Sequence, residues 1–499
     1  MRRTLTSWTL ALCGGALALG VACDSNPPSN NTVDMAAPQP DMTMAVLAPN
    51  VSSISVTKGS TAGGTVVTIT GTNFKPGATV TFGGKMATGV TVSADGTTIT
   101  ATTPASLGTP GDVDVTVSNN NGTIAATVTK GFRYFLGTVS FMPPGNTATI
   151  TGLGTGGPRS LATLDLTGQG SISLISANGG QNNISVLANT SVPPALTFAA
   201  PVNIALGQNG AISAAVGDMN ADGTADVVVA NQTSNTLSAV IRSGTMATPN
   251  TIATAVGSFS GPRFVALADF DGDKNQDIAV SNANNTVSIV RGSANGTTYT
   301  AVTGSPFNVG FDAYGIAVGD FDGDMRPDVV VGNVTAASNT IRVILNKAAG
   351  FAMQTPITIT GASQPNAIAV ADFDGDKKLD LAVANRGGNV AILKGDGAGG
   401  FALQGALLAV GTGPEVIFAA DLNLDGFTDL VVPSFTSSNL HFITGKGDGT
   451  FNAPVMITLA TGSQPNGVTV ADFNRDGKPD IAVTRYATGG IDILLGTGM

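Results

Sequence analysis

The sequence predicts an all-β fold, in which a small β-sandwich is followed by a seven-bladed β-propeller. First, the composition is rich in turn residues and poor in charge, since 65 of the 499 residues are Gly and only 11% are charged. Such a chain favours short strands joined by tight turns. Second, apolar and polar residues alternate between residues 49 and 135, as they do in half-buried strands. Third, one Asp-rich motif recurs seven times at a spacing near 51 residues, and a constant period of this length is the signature of a repeat architecture.

The first 23 residues are predicted to be an export signal. Arg2 and Arg3 precede an apolar run from residue 8 to residue 22, which is too short to span a membrane comfortably. The small residues before Cys23 resemble the lipobox of bacterial lipoproteins, and this resemblance implies that Cys23 is lipidated and anchors the chain to the cell envelope or outer surface. Residues 24–47 are polar and Pro-rich and are predicted to form a disordered tether. The alternative is ordinary cleavage nearby, which would give a secreted protein.

Residues 48–136 are predicted to form the β-sandwich. Strand-like alternation is interrupted by Gly-Gly, Asp-Gly and Asn-Gly pairs, which mark turns. Five stretches resemble the IPT/TIG family of immunoglobulin-like domains: Gly63 to Thr65, Ile69 to Phe74, Val80 to Gly84, Thr103-Pro104 and Phe132 to Tyr134. The resemblance implies a spacer or adhesive module that carries no chemistry of its own.

Residues 137–499 are predicted to form the propeller. The first Asp of each motif falls at position 165, 218, 269, 320, 372, 421 or 472. A four-stranded sheet cannot cover both of its faces alone, so the copies are expected to stack as blades around a ring. A segment near residues 138–152 precedes the first motif, while no corresponding strand follows Leu495. The early segment is therefore expected to complete the last blade and so remove the exposed edges. The alternative is an open array.

Six of the seven motifs have the form D-x-[DN]-x-D-x-x-x-D and are predicted to be calcium loops. Side-chain oxygens at positions 1, 3, 5 and 9, with a main-chain carbonyl at position 7, would supply the all-oxygen shell that Ca²⁺ prefers. Gly at position 4 or 6 would allow the turn. EF-hand loops open in the same way, but position 12 is Val in these copies instead of Glu. The loop is therefore expected within a β-hairpin. The alternative, solvated Asp turns, would leave several carboxylates to repel one another without a cation.

Six copies keep all four side-chain ligands, so about six Ca²⁺ ions are expected. The first copy keeps only the carboxylate of Asp165 and is expected to bind nothing. The predicted ligands are Asp218, Asn220, Asp222 and Asp226; Asp269, Asp271, Asp273 and Asp277; Asp320, Asp322, Asp324 and Asp328; Asp372, Asp374, Asp376 and Asp380; Asp421, Asn423, Asp425 and Asp429; and Asp472, Asn474, Asp476 and Asp480.

These repeats look like FG-GAP/VCBS repeats, the family that builds the propeller of integrin α-subunits. The resemblance implies structural calcium ions and ligand binding on the face opposite the calcium loops. Polar segments share that face, among them those around Arg263, Tyr314, Gln364 and Gln464. They suit the hydroxyls and amides of a glycan or a protein. The chain is therefore predicted to be a calcium-stabilised adhesion protein of the cell surface that binds an extracellular protein or polysaccharide without catalysis.

Other functions are less compatible with the composition. The net charge of −10 argues against nucleic-acid binding, which needs clustered cations, and a monomer is expected. The only His, His441, occupies a strand position in its repeat. Outside the metal loops, Asp312 and Glu415 are among the few carboxylates that a carbohydrate-active enzyme could place around a substrate. Such an enzyme, or a purely structural envelope component, is the alternative function.

Overall fold

The structure is a computed structural model that describes residues 47–106, 110–119, 124–143, 149–154, 156–193, 195–242, 251–254 and 259–498. The predicted export signal, Cys23 and all but the last residue of the predicted tether lie outside these ranges. Strands are the regular elements of the described part, and within it no helical segment has the length and apolar character needed to cross a bilayer. Residues 48–499 belong to one compact unit.

The first nine strands form a sandwich of two sheets. Every second side chain of the central strands points between the sheets, and Val67, Ile69, Phe82, Phe132 and Tyr134 are buried there. The Phe132 ring packs edge-on against both other aromatic rings, with centroids 5.1 Å apart in each pair. One sheet contains β1 (Asn50–Ser55), β3 (Val66–Thr72), β7 (Thr98–Thr102) and β6 (Thr88–Val92); the other contains β2 (Lys58–Ser60), β9 (Ile124–Phe135), β8 (Gly111–Asn119), β4 (Thr79–Phe82) and β5 (Lys85–Met86).

Seven further antiparallel sheets follow among the described residues. We number them in chain order: the first sheet contains β11 (Pro158–Asp165), β12 (Ile172–Asn178), β13 (Asn183–Leu187) and β14 (Val202–Ala205); the second β15 (Ala211–Gly217), β16 (Asp226–Asn231), β17 (Thr236–Ile241) and β18 (Thr251–Thr254); and the third β19 (Pro262–Ala268), β20 (Asp277–Asn282), β21 (Thr286–Arg291), β22 (Thr300–Ala301) and β23 (Phe307–Asn308). The fourth sheet contains β24 (Ala313–Gly319), β25 (Asp328–Asn333), β26 (Thr340–Lys347), β27 (Gly350–Met353) and β28 (Ile357–Thr358), and the fifth β29 (Pro365–Ala371), β30 (Asp380–Asn385), β31 (Asn389–Gly395), β32 (Phe401–Leu403) and β33 (Leu408–Ala409). The sixth sheet contains β34 (Phe418–Ala420), β35 (Asp429–Ser434), β36 (Asn439–Ile443) and β37 (Val455–Thr458), and the seventh β38 (Val468–Ala471), β39 (Asp480–Arg485), β40 (Gly490–Leu494) and β10 (Thr149–Ile150).

The sheets are arranged in a ring. The first strand of each sheet contacts the first strand of the next, and β38 of the last sheet contacts β11 of the first. The last sheet is completed by β10 from the start of this region, with Thr149 opposite Asp492 on β40. This pairing is the closure that the sequence predicts. The predicted all-β fold, with a sandwich before a propeller, is thereby confirmed.

Apolar side chains between neighbouring sheets hold the ring together. The second strands are buried on both faces; all six residues of β25, for example, are buried. A hydrophobic cluster lies between each pair of neighbouring sheets in the described part, and the cluster that joins the last sheet to the first contains Leu174, Leu187, Ile491 and Ile493. Because no sheet covers itself, each one depends on both neighbours for burial.

The sandwich contacts the propeller at one Asp loop, that of residues 421–429. The Lys58 ammonium donates a hydrogen bond to the Asp425 carbonyl oxygen (2.9 Å) and lies 3.3 Å from the centroid of the Phe427 ring. The Arg133 guanidinium donates to the Leu424 carbonyl oxygen, 3.2 Å away. The predicted spacer is therefore joined to the loop side of the sixth sheet.

Candidate metal centres and the opposite face

Each of the six complete Asp motifs lies in the hairpin loop between the first and second strands of a sheet. The loop of residues 218–226, for instance, connects β15 to β16. The Val at position 12 is fully buried in the second strand in all six copies: Val229, Val280, Val331, Val383, Val432 and Val483. The structure therefore places the loops in hairpins, as the missing Glu at position 12 predicts.

The Asp at position 9 is a buried acceptor for the backbone. In the seventh sheet, Asp480 Oδ2 accepts the N–H of Phe473 (2.9 Å) and its Oδ1 accepts the N–H of Gly496 (2.8 Å). The same two bonds recur in every complete copy at 2.7–3.0 Å, so each carboxylate joins the start of the loop to the end of the third strand. These carboxylates belong to Asp226, Asp277, Asp328, Asp380, Asp429 and Asp480, all at most 1% exposed.

The Asp at position 1 organises the loop itself. In the third sheet, Asp269 Oδ2 accepts the N–H of Lys274 at 2.8 Å, and the corresponding bond from position 6 is present in all six loops. Positions 4 and 6 both have positive φ in every loop, although only one of them is Gly. Lys274 (φ 73°) and Leu424 (φ 62°) are examples of the residue that is not Gly. Left-handed backbone of this kind is strained for a side chain and is concentrated at functional sites.

Three loops bring three carboxylates together. Carboxylate oxygens within 4.8 Å of one another belong to Asp269, Asp271 and Asp273; to Asp320, Asp322 and Asp328; and to Asp372, Asp374 and Asp380. The fourth predicted carboxylate of each loop stands outside its group. Hard oxygen donors at this spacing suit Ca²⁺, and one buried oxygen, Asp322 Oδ1, has no hydrogen-bond partner. The residues therefore fit the predicted cation. That these residues are its ligands is a prediction.

In the other three loops the residue at position 3 is Asn, and its amide donates to the carboxylate at position 5. The Asn220 Nδ2 to Asp222 Oδ2 distance is 3.0 Å, and Asn423 and Asn474 make the same contact. These loops contain three carboxylates each. In the incomplete first copy, Asp165 accepts three loop N–H groups at 2.7–3.0 Å, and it therefore forms a turn without neighbouring carboxylates from its own motif.

The loops are also joined to the next sheet. The residue at position 2 is usually Phe, and the Phe373 ring packs edge-on against Phe451 of the sixth sheet at a centroid distance of 5.4 Å. The Phe373 carbonyl oxygen accepts the N–H of Gly449 at 3.0 Å. Similar ring pairs join Phe270 to Phe351, Phe321 to Phe401 and Phe473 to Phe198. A cation that orders a loop would consequently stabilise the contact between two sheets.

Burial raises the pKa of the position-9 carboxyls. Loss of solvation, reinforced by the neighbouring loop carboxylates, raises the pKa of Asp429 and Asp480 to about 7 and that of Asp277 and Asp328 to about 6. The two backbone N–H bonds oppose this shift but do not cancel it. Without metal, these groups therefore take up protons more readily in the folded chain than in the unfolded chain, where the pKa is near 4.

We expect calcium to stabilise the chain more as pH rises from about 5.5 to about 8. Protonation of these carboxyls stabilises the calcium-free chain at low pH. This contribution to the free energy of unfolding is lost as pH rises through the folded pKa of about 6 to 7. Calcium binds the ionised form, so its competition with protons weakens over the same window. The difference in melting temperature between calcium and EDTA, measured across this range, tests the expectation. A difference that does not change with pH would contradict it.

The face opposite the Asp loops contains a cluster that several sheets share. We call Arg159, Arg263, Tyr314, Arg386, Glu415 and Tyr486 the arginine–tyrosine cluster. Its members lie near the beginning of first strands or just after the end of second strands, which is the end of each sheet away from the loops. The sequence places Arg263 and Tyr314 on this face, but it does not show which of the residues from six sheets contact one another there.

The contacts of the cluster run from sheet to sheet. The Arg263 and Arg386 guanidinium carbons lie 5.0 and 4.6 Å from the Tyr314 ring centroid. Arg386 Nη2 lies 2.8 Å from Glu415 Oε2. Across the ring closure, Arg159 Nη2 donates to the Tyr486 hydroxyl oxygen at 3.0 Å, and the Phe435 ring connects Tyr486 to the sixth sheet at a centroid distance of 5.9 Å. Burial raises the pKa of Tyr314 to about 12, so its hydroxyl is a neutral donor.

The candidate catalytic residues are in structural contacts. Asp312 accepts a 2.6 Å bond from Arg263, and Glu415 accepts a 2.8 Å bond from Arg386. His441 is buried within β36, where burial lowers its pKa, and its Nδ1 faces the N–H of Gly411 at 3.5 Å. The histidine therefore occupies a strand position, as its place in the repeat predicts.

The chain is similar in structure to solved proteins of low sequence identity. BBS1N, solved in complex with ARL6DN, is 13% identical and aligns over 72% of this chain and 96% of its own with a TM-score of 0.50, which supports the fold alone. An auxiliary nutrient binding protein from Bacteroides ovatus is 13% identical over 90% of this chain and 98% of its own, with a TM-score of 0.41. A putative phosphatase from Bacteroides thetaiotaomicron is 10% identical over 91% and 98%, with a TM-score of 0.40. Among curated proteins, none matches the chain.

Two family models match the sequence. The IPT/TIG domain model matches residues 49–134, which is the sandwich. The FG-GAP-like repeat model matches residues 218–280, 269–331, 320–383, 372–432 and 434–483, and each match contains Asp loops described above. Because these repeat matches cover more than half of the residues, the chain belongs to the FG-GAP-like repeat family, with an IPT/TIG domain before the repeats.

Proposed function

We propose that the chain is an exported, lipid-anchored protein of the cell surface whose calcium-stabilised propeller binds an extracellular polysaccharide or protein without catalysis. The observation that supports binding is the arginine–tyrosine cluster. In a chain with only 23 Lys and Arg residues, three guanidinium groups gather around two tyrosine rings at one end of the ring of sheets. Planar guanidinium groups and tyrosine rings stack on sugars and aromatic side chains and also donate hydrogen bonds.

The cluster has unused binding capacity. Arg263 Nε and Arg386 Nε are buried without hydrogen-bond partners, and so is Asn366 Oδ1 on the neighbouring first strand. Buried polar groups in folded proteins are nearly always paired. A ligand that supplied acceptors to the two Nε–H groups and a donor to the Asn366 oxygen would satisfy groups that the chain leaves unsatisfied. A rigid scaffold beneath such groups lowers the ordering cost of binding.

A catalytic role is less well supported by the same contacts. Both carboxylates that could serve as acid and base, Asp312 and Glu415, accept a short bond from an arginine. A general acid or base must reach the reacting atom of a substrate, and a carboxylate held by a guanidinium is already engaged in a charge-assisted contact. The cluster therefore favours recognition over bond cleavage.

Export and lipidation rest on the sequence of residues 1–23. Mass measurement of the mature N-terminal peptide tests them, since a diacylated Cys23 at the new N-terminus is expected. An unmodified peptide that begins elsewhere would argue for secretion instead.

We expect Arg386→Gln to weaken ligand binding by about tenfold or more, because truncation of a central, half-buried arginine removes a stacked and ion-paired contact. Purified chain, screened in calcium on glycan and extracellular-protein arrays, would identify the ligand, and titration of the variant would give the change in affinity. Lys75→Gln is the control, since Lys75 is an exposed cation of the sandwich. Equal affinity of Arg386→Gln and the unmodified chain would contradict the proposed face.

A further inference from the structure

Two of the six complete Asp loops contain a lysine ammonium group that comes from the third strand region of the same sheet. Lys347, at the end of β26, forms an ion pair with Asp322. Lys394 on β31 forms ion pairs with Asp374 and with Asp376, the latter at 3.1 Å. The position-3 carboxylates are nearly buried, with 2% and 8% of the side chains of Asp322 and Asp374 exposed, while the lysine side chains are 41% and 43% exposed. The chain therefore supplies a cation to each of these loops.

The six copies provide an internal comparison. All three loops with Asp at position 3 have a basic partner for it, since Arg291 Nε also lies 3.2 Å from Asp271 Oδ2, although with half of the arginine side chain exposed. The three loops with Asn at position 3 contain one carboxylate fewer. In the part of the chain that the structure describes, no ion pair reaches those loops. An ion pair to the position-3 side chain thus accompanies the fourth carboxylate, whereas the Lys58 ammonium at the loop of residues 421–429 bonds to a main-chain carbonyl oxygen instead.

The ammonium group satisfies these loops only in part. Lys347 contacts Oδ2 of Asp322, while Oδ1 of the same carboxylate is buried without a partner. The oxygens of Asp320, Asp322 and Asp328 still lie within 4.8 Å of one another, as do those of Asp372, Asp374 and Asp380. A single positive charge reduces the repulsion among four carboxylates, but it cannot coordinate them all as a divalent ion would. Once a divalent ion binds, the same ammonium group would repel it.

We infer that Lys347 and Lys394 act as built-in substitute cations, which hold their loops folded when calcium is scarce and weaken calcium binding there. The six loops then fall into at least two affinity classes, and the loops of residues 320–328 and 372–380 fill after those with Asn at position 3. This inference rests on the calcium loops of the proposed function. It adds a later stage of calcium binding, which would order the contacts of the fourth and fifth sheets only after the loops with Asn at position 3 are filled.

The test uses the full chain with Lys347→Met or Lys394→Met, which removes the charge and keeps the apolar stem. Calcium titration by calorimetry is expected to show one site tightened by about tenfold or more in each variant, because a repelling charge next to the ion is gone. In EDTA the melting temperature is expected to fall by about 1–3 °C, since the carboxylates lose their neutralising charge. Lys377→Met is the matched control: Lys377 is exposed on the loop of residues 372–380, and the corresponding position in the preceding sheet is already Met325.

Opposite shifts in the two measurements distinguish a substitute cation from other roles. If both lysine variants bound calcium as the unmodified chain does, or more weakly, the inference would be wrong. An effect of Lys377→Met equal to theirs would also overturn it, because net charge alone would then explain the change. An unmodified chain that bound no calcium would refute the metal part of the proposed function as well, whereas normal calcium binding with unchanged lysine variants would refute this inference alone.

Discussion

Removal of calcium with EDTA is expected to lower the melting temperature of the chain by about 10–20 °C. Each loop occupied at about 100 times its dissociation constant would contribute roughly 2.7 kcal/mol to the free energy of unfolding, and six loops together would correspond to a shift of this size for a ring of this length. The effect should be cooperative, because the loops contact the neighbouring sheets through pairs such as Phe373–Phe451. Differential scanning calorimetry with EDTA and across a calcium titration measures it.

The number of bound ions gives the control for this experiment. Calorimetric titration should give about six calcium ions for each chain, and magnesium at equal concentration should stabilise less, since it demands a tighter octahedral shell. A melting temperature that is the same in EDTA and calcium would mean that the Asp loops are turns that bind no metal. The ring of sheets could then still be stabilised by its apolar contacts.

Asp480→Ala is expected to destabilise the chain by about 3 kcal/mol or more even in EDTA. The substitution leaves the N–H groups of Phe473 and Gly496 buried without an acceptor, and each unsatisfied donor costs about 1–3 kcal/mol. Relief from burying a charge offsets part of this loss. Denaturant unfolding in EDTA, followed by the change in midpoint, measures the remainder.

The matched variant is Asp476→Ala, four residues earlier in the same loop. Asp476 is exposed and accepts bonds within the loop only, so its removal in EDTA should change the free energy of unfolding by no more than about 0.5 kcal/mol. Both variants should lose calcium binding at this loop. Equal stability of the two variants in EDTA would show that position 9 serves as a metal ligand and not also as a backbone anchor.

The regular spacing of the motif allowed the loops to be placed from the sequence, because a conserved period within one chain reflects one repeated unit. Positions 1, 3, 5 and 9 of the motif are nevertheless all Asp or Asn, so the sequence predicts the same role, that of a metal ligand, for each of them. The structure separates position 9 from the others. Its second backbone donor, such as Gly496 for Asp480, lies 16 residues further along the chain, just past the end of β40, and only strand pairing brings the two together.

The arginine–tyrosine cluster is a second feature that the sequence does not predict, and its residues are further apart along the chain. Arg159 and Tyr486 are separated by 327 residues and touch because the last sheet packs against the first. No local pattern predicts such a contact, and neither does the pairing of Lys347 with Asp322, which depends on how the third strand returns to the loop. Spacing and residue type determine which groups lie at which end of a sheet.

The sequence by itself determined the strand periodicity, the repeated hairpin loops and the presence of a sandwich before them, because these features follow from local alternation, turn residues and a constant repeat length. Only the tertiary structure decided which carboxylates are anchors, which loops receive a lysine and which side chains meet on the opposite face. Those outcomes depend on the closure of the ring, since burial and pairing between sheets arise only when residues distant in sequence become neighbours in space.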